Sequence, residues 1–121
     1  MSSLKELYNA ELGAKLKARQ EKCASFEEAK AKLKALYRSI IDDRDFYDAL
    51  RAEVELLDDD LRIDPGPIMI VVTAQLSGEF HFEYEVKRPD DYQTTVLPEV
   101  KNIAQVEAAI AKLLVQYHRE D

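Results

Sequence analysis

From Leu4 onward the apolar residues fall at helical steps. Leu4, Leu7, Tyr8, Leu12 and Leu16 are three or four apart, which predicts a helix over about residues 3–21 with Lys- and Glu-rich outer faces. Gly13 lies inside that pattern. A helical glycine costs about 1 kcal/mol relative to alanine, so this segment depends on tertiary contacts. Ser25 followed by Glu28 has the spacing of a reciprocal N-terminal cap and predicts a second helix, with Ala29, Leu33, Leu36, Tyr37, Ile40 and Ile41 on one face. Asp42 and Asp43 interrupt the pattern and offer the next N-cap. Phe46, Tyr47, Leu50, Val54 and Leu57 then continue a helical stripe, predicting a third helix that ends near Leu57. Three carboxylates, Asp58, Asp59 and Asp60, oppose the negative end of a helix dipole and are expected to face water just beyond it.

Pro65, Gly66 and Pro67 force a turn, and the periodicity changes after them. Ile68 to Ala74 is a continuous β-branched run, the composition of a strand buried on both faces. Ser77-Gly78 marks a turn. The next stretch alternates, with Phe80, Phe82, Tyr84 and Val86 on a core face and Glu79, His81, Glu83 and Glu85 on the other. Residues 88–98 read as a loop with a short strand over Thr94 to Leu97, and Asn102 caps a last helix bearing Ile103, Val106, Ile110, Leu113 and Leu114. The expected fold is therefore one α+β domain over residues 1–121. It has three N-terminal helices, a small antiparallel hairpin or sheet of two or three strands, and a C-terminal helix packed on that sheet. So thin a sheet leaves an edge strand that a second chain can pair with, giving a homodimer.

Charge changes this picture more than composition does. The formal net charge is −7, but residues 1–40 hold nine basic side chains against five acidic, and the remainder holds eight against nineteen. A surface of that sign repels phosphate backbones and attracts cations, which argues against direct nucleic-acid binding and for a basic protein partner. No run of 18 apolar residues exists and the N-terminus lacks the apolar core of a secretory signal, so no membrane association and a cytoplasmic location are expected. The lone Cys23 fits a reducing compartment and has no nucleophile signature around it.

Two groups of residues are candidates for binding. Asp42, Asp43, Asp45, Asp48, Asp58, Asp59, Asp60 and Asp64 form one acidic stretch, dense enough to imitate a phosphate backbone or to meet a basic groove with fast, electrostatically steered association. Glu79, His81, Glu83 and Glu85 form the second, a row along one strand. Such a row has no turn to fold its ligands around one ion, and Leu61 and Ile63 occupy positions where a calcium loop needs ligands or its glycine. Neither group predicts a metal. No phosphate-binding glycine loop, Gly-x-Ser-x-Gly elbow, His-Glu-x-x-His or Cys-x-x-Cys occurs, and the sequence predicts neither an enzyme nor a cofactor.

The stretch from Ile70 to Tyr92, with its β-rich run, Ser77-Gly78-Glu79-Phe80-His81-Phe82-Glu83-Tyr84-Glu85 and Asp90-Asp91-Tyr92, resembles the hairpin and acidic-aromatic tail of YezG-like immunity proteins. Those are small acidic bacterial proteins that bind and silence a secreted toxin. The resemblance implies a non-catalytic acidic protein-binding module, an immunity-type inhibitor that neutralises a basic toxin or nuclease. Two other readings are a nucleic-acid mimic that regulates a DNA-binding protein, using the same carboxylates, and a homodimeric accessory subunit joined through the exposed sheet edge and the first helix.

Overall fold

A computed structural model describes residues 3–118 of the chain. Its first element, α1, is a single helix over Leu4–Ile41, started by Ser3, whose hydroxyl accepts the Glu6 N–H at 3.3 Å. At 1.5 Å per residue it is about 57 Å long. The two helices expected up to Ile41 are thus one, and Ser25 does not cap. It lies half-buried within α1, where its small side chain leaves room for a neighbouring turn, and interior serine is only mildly unfavourable to helix.

The break at Asp42 and Asp43 is present. Asp43 caps α2, Arg44–Leu50, by accepting the Phe46 N–H at 3.1 Å. Arg51 then takes a left-handed conformation, with φ of 50°, and the chain leaves the helix. Beyond Arg51 the chain departs from the expected third helix. Val54 does not continue a helical stripe but belongs to β1, Glu53–Leu56, which turns through Asp58 and Asp59 into β2, Asp60–Asp64. Glu53-Val54-Glu55-Leu56 alternates at period two, and pairing it against β2 buries Leu61 and Ile63 completely, which one more helical turn would not do.

Next come β3, Ile68–Ala74, β4, Phe80–Lys87, β5, Tyr92–Val96, and α3, Ile103–Gln116. The five strands form an antiparallel meander in sequence order, rather than a sheet of two or three. Register places Leu61 opposite Val72 and Val72 opposite Phe82, while Ile63, Ile70 and Tyr84 form the adjacent row. Those residues, with Ile68 and Phe80, face Ala29, Leu33 and Ile40 of α1 and Val106, Ile110 and Leu113 of α3 in one hydrophobic cluster. The α1 helix covers β1 to β3, and α3 covers β4. Asn102 and Gln105 cap α3 reciprocally, as each side chain accepts the other residue's backbone N–H at 2.8 and 3.1 Å.

Both helices lie on one side of the sheet, so β3 is buried on one face only. Ile68, Ile70, Val72 and Ala74 point inward, whereas Met69, Val71 and Thr73 are half-buried on the open face. The architecture is α+β, with two layers and one core.

Candidate functional site

The body of the protein first meets α1 at Ser25. The turn between β3 and β4 reaches the helix there, and a Cβ added to Gly78 would come within 3.2 Å of the Ser25 Cβ. N-terminal to that point every described side chain from Leu4 to Ala24 is exposed. The helix therefore continues for 21 residues, about 31 Å, as an arm with none of the body beside it.

Two apolar residues of the arm, Leu4 and Tyr8, are in phase with the packed segment. Leu4 and Ile40 are 36 residues apart, ten helical turns, and so project from the same side of the helix; Tyr8 and Phe26 are five turns apart. Ile40 is 4% exposed and Phe26 packs against the core, yet Leu4 is 82% exposed and Tyr8 62%. Leu7, Leu12 and Leu16 join them in an apolar stripe that winds off the core-facing side: Leu12 and Leu16 are in phase with Lys30 and Lys34, whereas Glu11 and Lys15 are in phase with the buried Ala29 and Leu33. Gly13 is on the reverse side and has nothing near it.

The acidic residues singled out from sequence are not gathered into one surface. Asp42, Asp45 and Asp48 are exposed around the corner between α1 and α2, and Asp43 is occupied as the α2 cap. Asp58, Asp59 and Asp60 lie at the far end of the β1–β2 hairpin, a strand's length away. Asp60 accepts from Arg62 Nε at 3.2 Å, and Asp58 is 3.6 Å from Lys30 of α1. Asp64, at the near end, takes the Gly66 N–H on one carboxylate oxygen at 2.9 Å and Lys87 Nζ on the other at 2.6 Å. A cleft lined by Asp48, Arg51, Glu53, Asp64 and Lys87 opens beside it, with charges of both signs on its walls.

The strand row is partly assembled. His81, Glu83 and Glu85 share the open face of the sheet, half-buried, with His81 Nε2 3.6 Å from a Glu83 carboxylate oxygen; Glu79 lies just before β4. Across that face Glu55, Arg62, Val71, Glu83 and Val96 form one lateral row, and Met69, Glu85 and Thr94 another. Among the described residues no group of three or more His, Cys, Asp or Glu side chains is placed to hold a metal ion, and no helix is long and apolar enough to cross a membrane.

Lys30 fastens α1 to the hairpin just below the arm. It pairs with Glu27 at 3.1 Å, approaches Asp58, and lies 4.7 Å from the centre of the Phe26 ring. The Glu27 hydrogen bond, aided by the charge of Asp58, holds its ammonium above the ordinary value of 10.5 against the opposing effect of burial. A raised basic group contributes fully below its unfolded value and loses that contribution as pH rises through the folded one. The melting temperature difference between the native chain and Lys30→Met should therefore be constant from about pH 6 to 9 and shrink only above about pH 10.5. A difference that vanishes between pH 7 and 9 would refute this role.

The sequence predicts the arm as a helix over about residues 3–21 with its apolar stripe, but not that this helix runs on into the packed segment and leaves the stripe uncovered. Comparison with models of known protein families, with curated proteins and with solved structures found no match for this chain.

Proposed function

We propose that this protein is a non-catalytic protein-binding module whose α+β body carries and aims a helical arm, with the apolar stripe of that arm as its binding element. The observation that supports this reading is the stripe itself. Five large apolar residues, Leu4, Leu7, Tyr8, Leu12 and Leu16, wind along one half of the arm's surface at steps of three and four and are left uncovered. A helix offering anchors three and four residues apart is a common way to fill a groove or pair with another helix. Hiding each such side chain from water contributes about 1.5–3 kcal/mol, so five of them supply a binding energy that the body leaves unused.

The test removes the stripe and leaves the body. In a chain carrying Leu7→Asp and Leu16→Asp, every association of the protein, with itself or with another protein captured from cells, should be lost, while its thermal unfolding is unchanged. Associations that survive both substitutions would end this reading.

A second reading places a basic partner, of the kind an immunity-type inhibitor meets, on the open face of the sheet. It is favoured by the half-buried apolar centre of that face, Met69 and Val71, bordered by Glu83 and Glu85 on one side and by Arg62, with Glu55 beyond it, on the other. An apolar centre inside a charged rim is the usual anatomy of a protein interface. Glu83→Lys with Glu85→Lys should then abolish a salt-sensitive association that the arm substitutions leave intact.

A further inference from the structure

We infer that the occupant of the arm's stripe is the arm of a second copy of this chain, laid antiparallel to it. The inference rests on the reading of the arm as a binding element and adds the partner. Its first support is self-complementary spacing. When two arms are related by a two-fold axis near Leu12, Leu12 meets its own copy and Leu16 of each arm faces Tyr8 of the other, so the apolar centre of the stripe is paired, while Leu7 and Leu4 lie along the stems of Lys17 and Gln20 toward the ends. The bodies sit at opposite ends, each beyond Ser25, and neither obstructs the contact.

Charge selects the direction. The outer half of the overlapping arm, residues 4–12, carries Lys5, Glu6 and Glu11, a net −1, and the inner half, residues 13–20, carries Lys15, Lys17 and Arg19, a net +3. Antiparallel pairing sets the negative half against the positive half twice. Parallel pairing would set each half against its own sign, which costs affinity. Glu11 and Lys15 flank the stripe on the same side and fall within reach of each other's copy in the antiparallel pair. Lys5 is the exception, since that register brings it near Arg19 of the second arm.

Seventeen overlapping residues give a contact about 25 Å long. That falls at the small end of stable interfaces, near ~1,200 Å² of total buried surface, and fits a reversible dimer with a dissociation constant of about micromolar order.

Sedimentation equilibrium of the whole chain tests this, over concentrations up to about 200 μM. The native protein should show a reversible monomer–dimer equilibrium, and Leu12→Asp should weaken it at least about tenfold with the circular dichroism of the body unchanged. A native chain that is monomeric throughout, or a dimer that Leu12→Asp does not affect, overturns the inference. If a monomeric chain nevertheless captures a different protein through the same leucines, the arm is still a binding element and only the second copy is wrong.

Direction has its own readout. Lys5→Glu removes the one unfavourable contact of the antiparallel pair and should tighten the dimer a few-fold at low salt, an effect that fades with added salt. In a parallel pair it would place glutamate against glutamate and weaken the dimer. Cys23 gives the second check, because antiparallel arms hold the two exposed Cys23 thiols about 33 Å apart. Mild oxidation should leave the native dimer uncrosslinked and should crosslink Leu12→Cys made in a Cys23→Ser background. Rapid Cys23 disulfide formation within the dimer, or a dimer weakened by Lys5→Glu, overturns the antiparallel arrangement.

Discussion

Replacing Leu33 by alanine should cost about 3–4 kcal/mol, lowering the urea midpoint by about 2 M without changing the slope of the transition. Leu33 is completely buried, at the centre of the stretch of α1 that packs on the sheet, and it belongs to the same cluster as Phe82, Val72 and Val106. The lost methyl groups leave a void between a helix and a sheet that are both held elsewhere, so the site has little freedom to collapse. For a domain whose whole stability is about 5–15 kcal/mol, such a loss brings it close to unfolding at body temperature. The same substitution at Leu7, on the same helix, should change the stability of the monomer by less than about 0.5 kcal/mol. This contrast is a direct check on where the core ends. If Leu7→Ala were as damaging as Leu33→Ala in dilute solution, the arm would have to be packed against the body.

Gly78→Ala should destabilise by about 2 kcal/mol, for two separable reasons. Gly78 lies in the five-residue loop between β3 and β4, donating its N–H to the Gln75 carbonyl at 2.9 Å, and its φ is 89°, where a Cβ is strained in any surroundings. The added methyl would also meet the Ser25 Cβ at 3.2 Å, and the helix would have to give by a few tenths of an ångström. A double-mutant cycle separates the two. In a Ser25→Gly background the contact is gone and the strain remains, so Gly78→Ala should cost less there, by at least about 0.5 kcal/mol. Strict additivity would mean that the turn does not press on the helix.

The elements legible in the sequence were those whose local signal and tertiary role agree. The Phe80 to Lys87 alternation, the cap at Asn102 and the interruption at Asp42 and Asp43 each produce the predicted structure, because nothing in the packing competes with them. Ser25 and Glu28 carried a start signal that continuous packing of Phe26, Ala29 and Leu33 overrides, since a helix already running needs no new cap. Residues 53–57 differ from the expected helix because Val54 and Leu57 happen to stay in phase with α2, and glutamate and leucine favour helix. The left-handed Arg51 that ends α2 is a position where glycine is the usual residue, so the stop signal was missing from the sequence.

The candidate site was less legible than the fold, for a related reason. Density of aspartate in the chain predicted a single acidic surface, but a hairpin folds back on itself, and the two ends of the stretch separate by the length of its strands. Asp43, Asp60 and Asp64 are engaged by backbone or by neighbouring cations within the chain, which sequence spacing does not reveal. The apolar stripe of the arm was visible as a stripe. Its lack of cover was not, because burial is a property of the three-dimensional partner and not of the helix.

Because arm and core share one unbroken helix, the arm needs no nucleus of its own. A free peptide of 21 residues containing Gly13 must first close an unfavourable turn, by a factor of about a thousand, before each further hydrogen bond helps. Here the buried turns around Ala29 and Leu33 supply that nucleus, and order spreads outward from Ser25 one residue at a time. Such a helix melts from its tip alone, as a zipper held at one end. Amide exchange should quicken in even steps from Ala24 toward Leu4, and the distance over which the arm stays ordered, and so its reach, becomes a quantity that temperature and binding set continuously.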